Sequence, residues 1–196
     1  MSKTNEEIVQ EFCKRLSPEA NSAIIDVKIA DGAGVKQWRT NVDAKVAKDG
    51  GSAVEGWAIW YEDDILVEGE ACIVWQSPKG ELIEVTPRDH EYPQIMFVAQ
   101  PGIWAGGGPV NNKRQCMSDN PMARMAFLSG EWKDKLRKQF GAAEGDIPES
   151  EIEKVDKACQ RILMRDVRNW ERCPCGSGKP FPKCCGKPKG RPWSNF

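Results

Sequence analysis

Apolar residues spaced three or four positions apart predict four helices in this chain. The first helix follows the capping-box pattern Thr4-x-x-Glu7, in which the two side chains satisfy exposed backbone N–H groups. The predicted helices cover Asn5 to Leu16, Val35 to Lys48, Pro121 to Phe140 and Glu149 to Trp170. The hydrophobic pattern therefore places helices near both ends of the first 170 residues.

Runs rich in Val, Ile and Trp predict strands in the stretch between the first and third helices. Ile65 to Trp75 and Glu81 to Val85 flank a segment containing Pro78 and Gly80, which is typical of a hairpin. The other predicted strands are Ala23 to Ala30, Val54 to Tyr61 and Gln94 to Val98, and the Gly-, Pro- and Asn-rich residues 101–121 are predicted to form a loop. The pattern predicts an α+β domain, with an antiparallel sheet and flanking helices.

Length and composition are those of an ordinary globular protein. The chain has 196 residues, of which 40% are hydrophobic and 29% charged. The longest apolar runs fall far short of the roughly 18 residues that a membrane span needs, and the N-terminus lacks an apolar signal core. We therefore expect a cytoplasmic protein with reduced thiols, divided into a domain at residues 1–170 and a tail at residues 171–196.

Charge is distributed unevenly, although the formal net charge of the whole chain is only −1. Residues 171–196 carry six basic residues against one acidic residue, a net charge of about +5, which leaves about −6 on the rest of the chain. The tail is predicted to bind an acidic protein surface or a ribonucleoprotein, with nucleic acid itself as an alternative partner. The residues predicted to make this contact are Lys179, Phe181, Lys183, Lys187, Lys189, Arg191 and Trp193. The other interpretation is a basic end that only improves solubility.

Four cysteines in this tail follow the pattern C-x-C-x8-C-C. Cys173 and Cys175 flank a proline, and the Gly-Ser-Gly segment after them allows the backbone to fold tightly around a metal. Cys184 and Cys185 are adjacent, which suits two ligands of one ion better than a disulfide between them. The spacing predicts a zinc knuckle that holds one Zn²⁺ through Cys173, Cys175, Cys184 and Cys185. A disulfide pair or loose thiols is the alternative interpretation.

The same residues resemble a known zinc-binding segment. Cys173-Pro-Cys175-Gly-Ser-Gly-Lys179 and Lys183-Cys184-Cys185-Gly186 are similar to the SEC-C motif, first known from the SecA preprotein translocase ATPase. The last ligand is Cys here, where many members of the family have His. The resemblance covers about 15 of the 196 residues and implies a docking tag that carries a basic surface to chaperone or ribosome partners.

A second resemblance spans about 50 residues in the middle of the chain. It is to bacterial and phage proteins with the running pattern C-x-x-N-V, G-W, H-x-V and G-x-L-x-D-x-T-P. The segments that match are Gln37 to Val42, Gly56-Trp57, Glu70 to Trp75 and Gly80 to Pro87. In those proteins Cys, His and Asp are arranged as in papain-like and transglutaminase-like folds, where a thiolate is activated by an oriented imidazole.

The chain departs from this pattern at all three catalytic positions, which hold Trp38, Cys72 and Glu84. None of these side chains acts as a neutral imidazole does near pH 7, so the resemblance implies a pseudoenzyme whose pocket Trp38 fills. An alternative triad would use Cys72 as nucleophile, His90 as base and Glu84 to orient the base. It needs Cys72 and Glu84 on one face of the hairpin. A five-residue loop is expected to place them opposite one another, whereas the four-residue loop at 77–80 would place them on opposite faces.

These observations leave three functions open. The first is a zinc-binding, non-catalytic adaptor or inhibitor that acts through protein contacts. The second is a phage-type or mobile-element factor that acts on a host nucleoprotein or defence complex, and the third is a cysteine hydrolase or transglutaminase-like enzyme that uses Cys72.

Overall fold

The computed structural model describes residues 3–106, 110–140, 147–166, 172, 177–180 and 183–184, and it confirms the α+β class. Its helices are α1 (Asn5–Leu16), α2 (Trp38–Asp49), α3 (Pro121–Phe140) and α4 (Glu149–Asp166). Its strands are β1 (Ala23–Val27), β2 (Ser52–Glu62), β3 (Leu66–Gln76), β4 (Leu82–Glu84), β5 (Gln94–Ala99) and β6 (Lys113–Cys116). These residues divide into two compact units. The first contains residues up to Trp60 and from Glu68 to Lys113, and the second contains Tyr61–Val67 and the described residues from Arg114 onward.

The strands of the first unit close into a barrel rather than an open antiparallel sheet. The order is β2-β5-β1-β4-β3, and β3 pairs again with β2. Most neighbours with a determined direction are antiparallel, but β1 runs parallel to β4, with Asp26 opposite Ile83. The predicted antiparallel sheet is therefore corrected to a barrel that contains one parallel pair. A parallel pair needs a long crossover between its strands, and here α2, β2 and β3 lie in that connection.

Helix α1 forms as its sequence predicts. The backbone N–H of Glu7 donates to the Thr4 side chain, and the Glu7 carboxylate accepts from the Thr4 backbone, which completes the capping box. The helix packs its apolar face on the barrel at Gly69, where a methyl group would lie 3.0 Å from Leu16 and 3.5 Å from Phe12. The close approach of α1 thus depends on the absence of a side chain at position 69.

Helix α2 begins three residues later than predicted, at Trp38 rather than Val35. Lys36 adopts a left-handed backbone conformation with φ of 56°, which no helix can include. Beyond it, α2 places its buried Val42 in an apolar cluster on the outside of the barrel. The other buried members of this cluster are Ile73, Trp75, Ile83 and Val85.

The barrel interior is a second apolar cluster, formed by alternate residues of the same strands. Its buried members are Ile25, Ala58, Cys72, Val74, Ile95 and Phe97, and Trp38 and Trp60 pack against it partly buried. The interior is thus closed by aromatic side chains from α2 and β2. These residues frame the polar cluster described below.

The second unit contains α3 and α4 and a small apolar cluster between them, whose buried members are Met122, Met125, Val155 and Cys159. Asp134 of α3 is 3% exposed and pairs with Arg114 of β6 and with Arg137. Strand β6 is a correction, because residues 101–121 were predicted to be a loop throughout. Its sequence, Lys-Arg-Gln-Cys, carries no alternating apolar pattern that would mark it as a strand.

The boundary predicted at residue 170 lies outside the described residues, as does the predicted end of the last helix. None of the helices in the described part of the chain combines the length and apolar composition that crossing a bilayer requires.

Candidate functional site

The three positions that replace a catalytic triad, 38, 72 and 84, lie in the first unit. Trp38 and Cys72 meet in its interior. Trp38 is the first residue of α2, and its ring packs against the apolar cluster that contains Cys72 of β3. Glu84 is the last residue of β4 and is 0% exposed. Trp38 and Cys72 therefore share one apolar cluster, and Glu84 is buried at the end of the neighbouring strand.

The hairpin register settles which face each side chain occupies. Gln76 pairs with Leu82, which leaves five residues, 77–81, in the loop. Continuing this register puts Glu84 directly across from Val74, so Glu84 and Cys72 lie on the same face but two residues apart along β3. The face requirement of the alternative triad is met, although the two side chains are not directly opposite.

Arg88 is the central residue of this site, and the sequence did not single it out. Its side chain is 6% exposed, and its Nη2 donates to Glu84 Oε2 at 2.8 Å. Its Nη1 donates to Glu70 Oε2 on β3. The guanidinium carbon lies 5.8 Å from the ring centre of Trp38 and 5.1 Å from that of Trp60. We call these five residues the Arg88 cluster.

Aromatic faces and carboxylates both stabilise a guanidinium, so this surrounding suits a permanent positive charge. Burial disfavours the charge, but the carboxylates of Glu70 and Glu84 outweigh that effect, and the pKa of Arg88 lies above its ordinary value. Burial also raises the pKa of Glu84, because the cost of removing its carboxylate from water exceeds the help that Arg88 gives. The cluster is consequently stable only as a complete set.

Two motif residues of the resemblance hold the backbone around this cluster. Asn41 donates from Nδ2 to the Gly34 carbonyl at 2.7 Å and to Thr86 Oγ1 at 3.2 Å. The Thr86 backbone N–H donates to Glu84 Oε1 at 2.9 Å. Asn41 and Thr86 therefore fix the start of α2 relative to the end of β4, which is a structural role.

The Gly-Trp pair of the resemblance is structural as well. Trp57 is 2% exposed and donates its indole N–H to Gln100. A methyl group at Gly56 would lie 2.3 Å from the Val98 carbonyl oxygen and 2.4 Å from the Phe97 ring. Position 56 is thus glycine because β5 approaches it too closely for any side chain.

The structure also places the members of the alternative triad. Cys72 is 0% exposed, whereas His90 lies in an exposed segment after β4. Both carboxylate oxygens of Glu84 already accept hydrogen bonds, from Thr86 and Arg88. Burial raises the pKa of the Cys72 thiol far above its usual value, so the group is held as the protonated thiol.

Cys72 is therefore expected to resist iodoacetamide at about pH 8 in the folded protein, because only the thiolate is an effective nucleophile. Alkylation of each cysteine is measured by mass spectrometry of peptides after timed exposure. Cys116, which is partly exposed, is the internal control and should react faster. In urea the two thiols should react at similar rates. Faster labelling of Cys72 than of Cys116 in the folded chain would restore the enzyme hypothesis.

Part of the predicted zinc tail is described, and it lies in the second unit. Arg172 forms an antiparallel bridge with Pro180, and the Lys183 N–H donates to the Pro180 carbonyl at 2.9 Å. The Ser177 hydroxyl lies 3.1 Å from Cys184 Sγ, within hydrogen-bonding distance for sulfur. The predicted site residues outside the described part are Cys173, Cys175, Phe181, Cys185, Lys187, Lys189, Arg191 and Trp193.

The surroundings of Cys184 Sγ suit a zinc ligand. A hydroxyl beside the sulfur is the kind of outer contact that orients ligating groups at metal sites. Among the described residues no group of three or more His, Cys, Asp or Glu side chains is close enough to hold an ion, and Cys184 is the one predicted ligand within them. The four-sulfur donor set itself suits tetrahedral zinc.

Comparison with known proteins adds a partial similarity. No protein-family model matches the chain, and no solved structure gives a significant match. A UPF0225 protein of Vibrio vulnificus is 33% identical over 76 residues, which is 39% of this chain. The chain spans 40% of the length of that relative. Because UPF0225 proteins form a SEC-C motif family, this match agrees loosely with the first resemblance.

Proposed function

We propose that this protein is a non-catalytic adaptor or inhibitor that binds one partner through its body and another through a zinc-binding basic tail. The observation that carries the proposal is the Arg88 cluster. Arg88 lies at 6% side-chain exposure beside Trp38 and Glu84, which stand at the Cys and Asp positions of the resembling sequence pattern. A buried guanidinium whose Nη1 and Nη2 pair with Glu70 and Glu84 supports a frame in which these positions form an internal ion-pair cluster rather than a reacting set.

The chemistry of the remaining side chains favours the same conclusion. Trp38 at the start of α2 has no nucleophilic atom, and Cys72 is a buried, protonated thiol. His90 is exposed and lies outside the barrel interior that holds Cys72. A hydrolase would need these groups within hydrogen-bond reach of one another and of a substrate.

In the proposed tail, Cys173, Cys175, Cys184 and Cys185 would hold one Zn²⁺. When bound, zinc would fix the backbone of a segment that is too short to bury its own core. Lys179 and Lys183 are exposed, which supports their use in binding an acidic surface in the cytoplasm. The likeness to the SEC-C motif also supports a docking role.

The test is an affinity pull-down from cytoplasm of the source organism, with the intact chain and with a Lys179→Glu, Lys183→Glu double variant. We expect the intact chain to retain a defined protein or ribonucleoprotein, and the double variant to lose it, because two charge reversals oppose an acidic partner. Retained molecules are identified by mass spectrometry and by sequencing of nuclease-sensitive material.

The matched control is Lys14→Glu with Lys79→Glu, which changes the net charge equally at two exposed positions of the first unit. It should retain the partner. If both double variants lose binding equally, net charge rather than the tail controls the contact. If neither the intact chain nor the control retains any molecule, the adaptor proposal is wrong. Retention that disappears only with nuclease would favour nucleic acid as the partner.

A further inference from the structure

The Arg88 cluster surrounds one guanidinium with aromatic rings and carboxylates. The ring centres of Trp38 and Trp60 lie 5.8 Å and 5.1 Å from the central guanidinium carbon. Glu70 and Glu84 accept hydrogen bonds from its two terminal nitrogens. Proteins bind cationic ligands with the same groups, because the ring quadrupole and the negative charge both attract a cation. The cluster therefore has the composition of a binding pocket.

The pocket and the cation come from different parts of the fold. Helix α2 and strands β2, β3 and β4 supply the four other members of the cluster, which are Trp38, Trp60, Glu70 and Glu84. Arg88 lies in the connection between β4 and β5, where residues 89–93 are exposed. The guanidinium thus reaches from a surface segment into a site built by α2 and the barrel strands, as the side chain of a bound ligand would.

We propose that the Arg88 cluster is a guanidinium-binding pocket that this chain fills with its own arginine. The pocket recognises a planar cation with several N–H donors, and an ammonium, which is a compact point charge, cannot make the same contacts. Glu84 is buried and Glu70 is half-buried, so water competes weakly for their oxygens. A small guanidinium compound would therefore occupy the pocket of a variant that lacks the Arg88 side chain. This inference goes beyond the proposed function and does not depend on the tail.

The docked arginine has a consequence for the barrel interior of the natural chain. Trp38 and Trp60 pack against the interior cluster that contains Cys72. Burial raises the pKa of the Cys72 thiol, and the charge of Arg88 opposes this effect only in part, so the two side chains lie near each other. Arg88 thus acts as an internal ligand that keeps water and reagents away from Cys72.

Chemical rescue of Arg88→Ala tests the pocket. We expect methylguanidinium chloride, at about ten times its Kd, to raise the melting temperature of this variant by about 3 to 6 °C, because a ligand stabilises only a form that offers a free site. The natural chain should not respond, since Arg88 already fills the pocket. Melting is followed by circular dichroism at millimolar ligand, with sodium chloride at the same concentrations as the ionic-strength control. If Arg88→Ala alone is unfolded, the ligand should restore its native spectrum.

Two variants separate a pocket from a general effect of the salt. Arg39→Ala removes an arginine that also pairs with a glutamate, but at an exposed position, and it should gain nothing from the ligand. Arg88→Ala combined with Glu70→Gln keeps the shape of the pocket and removes one carboxylate charge. It should bind methylguanidinium about tenfold more weakly, because a charge-assisted hydrogen bond is lost.

Alkylation of Cys72 reports on access to the interior. In Arg88→Ala this thiol should react with iodoacetamide about tenfold faster than in the natural chain, and saturating methylguanidinium should restore the slow rate. Cys13 is the control for general unfolding, because it is buried on α1 of the same unit, outside the interior cluster. Its rate should change less than that of Cys72.

Three outcomes would overturn the inference in whole or in part. If methylguanidinium neither stabilises nor refolds Arg88→Ala, the pocket does not exist apart from its own arginine. If it stabilises Arg88→Ala and Arg39→Ala equally, or binds equally well without the Glu70 carboxylate, it acts on the protein surface and not in the pocket. If it stabilises Arg88→Ala but leaves the labelling of Cys72 unchanged, the pocket stands and its role in closing the interior is wrong.

Discussion

Replacing Arg88 with alanine is expected to lower the free energy of unfolding by about 3 to 5 kcal/mol, the usual cost of removing one partner from a buried ion pair. Glu84 is 0% exposed, and it would keep its carboxylate in the barrel interior without a cation. The measurement is urea denaturation of the natural chain and the variant, followed by tryptophan fluorescence.

Arg39→Ala is the matched control. Arg39 also pairs with a glutamate, Glu55 at 2.6 Å, but its side chain is 51% exposed. Exposed pairs contribute about 0 to 1 kcal/mol, so this variant should unfold almost as the natural chain does. Equal destabilisation by the two variants would show that the Arg88 cluster has no special importance.

The loss of unfolding free energy in Arg88→Ala should depend on pH, and the sign of this dependence follows from Glu84. The folded-state pKa of Glu84 is already raised, and loss of Arg88 would raise it further. A carboxyl with a raised folded-state pKa contributes stability below its unfolded pKa and loses it as the pH rises through the folded value. The deficit of Arg88→Ala should therefore be largest near neutral pH and shrink in acid.

Gly56→Ala is expected to lower the free energy of unfolding by about 1 to 3 kcal/mol or more through overpacking. The added methyl group would lie 2.3 Å from a backbone oxygen of Val98, and backbone in a closed barrel cannot move aside cheaply. Thermal denaturation followed by circular dichroism measures the effect.

Gly106→Ala provides the contrast for this change. Among the described residues a methyl group at Gly106 would meet nothing within 4 Å, so the substitution should alter stability by no more than about 0.5 kcal/mol. A Gly56→Ala protein as stable as Gly106→Ala would mean that β2 and β5 are not as close as described.

Helices whose ends are set by neighbouring residues in the chain were predicted correctly. Helix α1 begins where predicted because Thr4 and Glu7 cap its N-terminus, and α3 covers the predicted residues 121–140. The parallel pairing of β1 with β4 could not be predicted, since periodicity reports which face a residue occupies and not which strand lies beside it. The start of α2 was missed because nothing at Lys36 signals a left-handed conformation.

In the candidate site, too, features set by nearby residues could be predicted and contacts between distant residues could not. Trp38 packs against the cluster that contains Cys72, and Glu84 lies on the same face as Cys72, but nothing in the sequence indicated that Arg88 would join them. Arg88 follows Thr86-Pro87 in a segment of turn-forming residues, where arginine is ordinarily solvated. Its burial depends on Glu70, 18 residues away in the chain, and this pairing exists only after the barrel has closed.

Closure of the barrel also limits how another chain can bind. Each of its five strands has a strand neighbour on both sides, so within the described residues the barrel offers no open row of backbone N–H and C=O groups. Strand β6 is only four residues long and carries the exposed Lys113, features that discourage an incoming strand. Partners that extend a sheet by adding a strand of their own are therefore disfavoured, and so is self-assembly by the same route. Within the described residues, recognition through side chains of helices and loops is therefore favoured over strand addition.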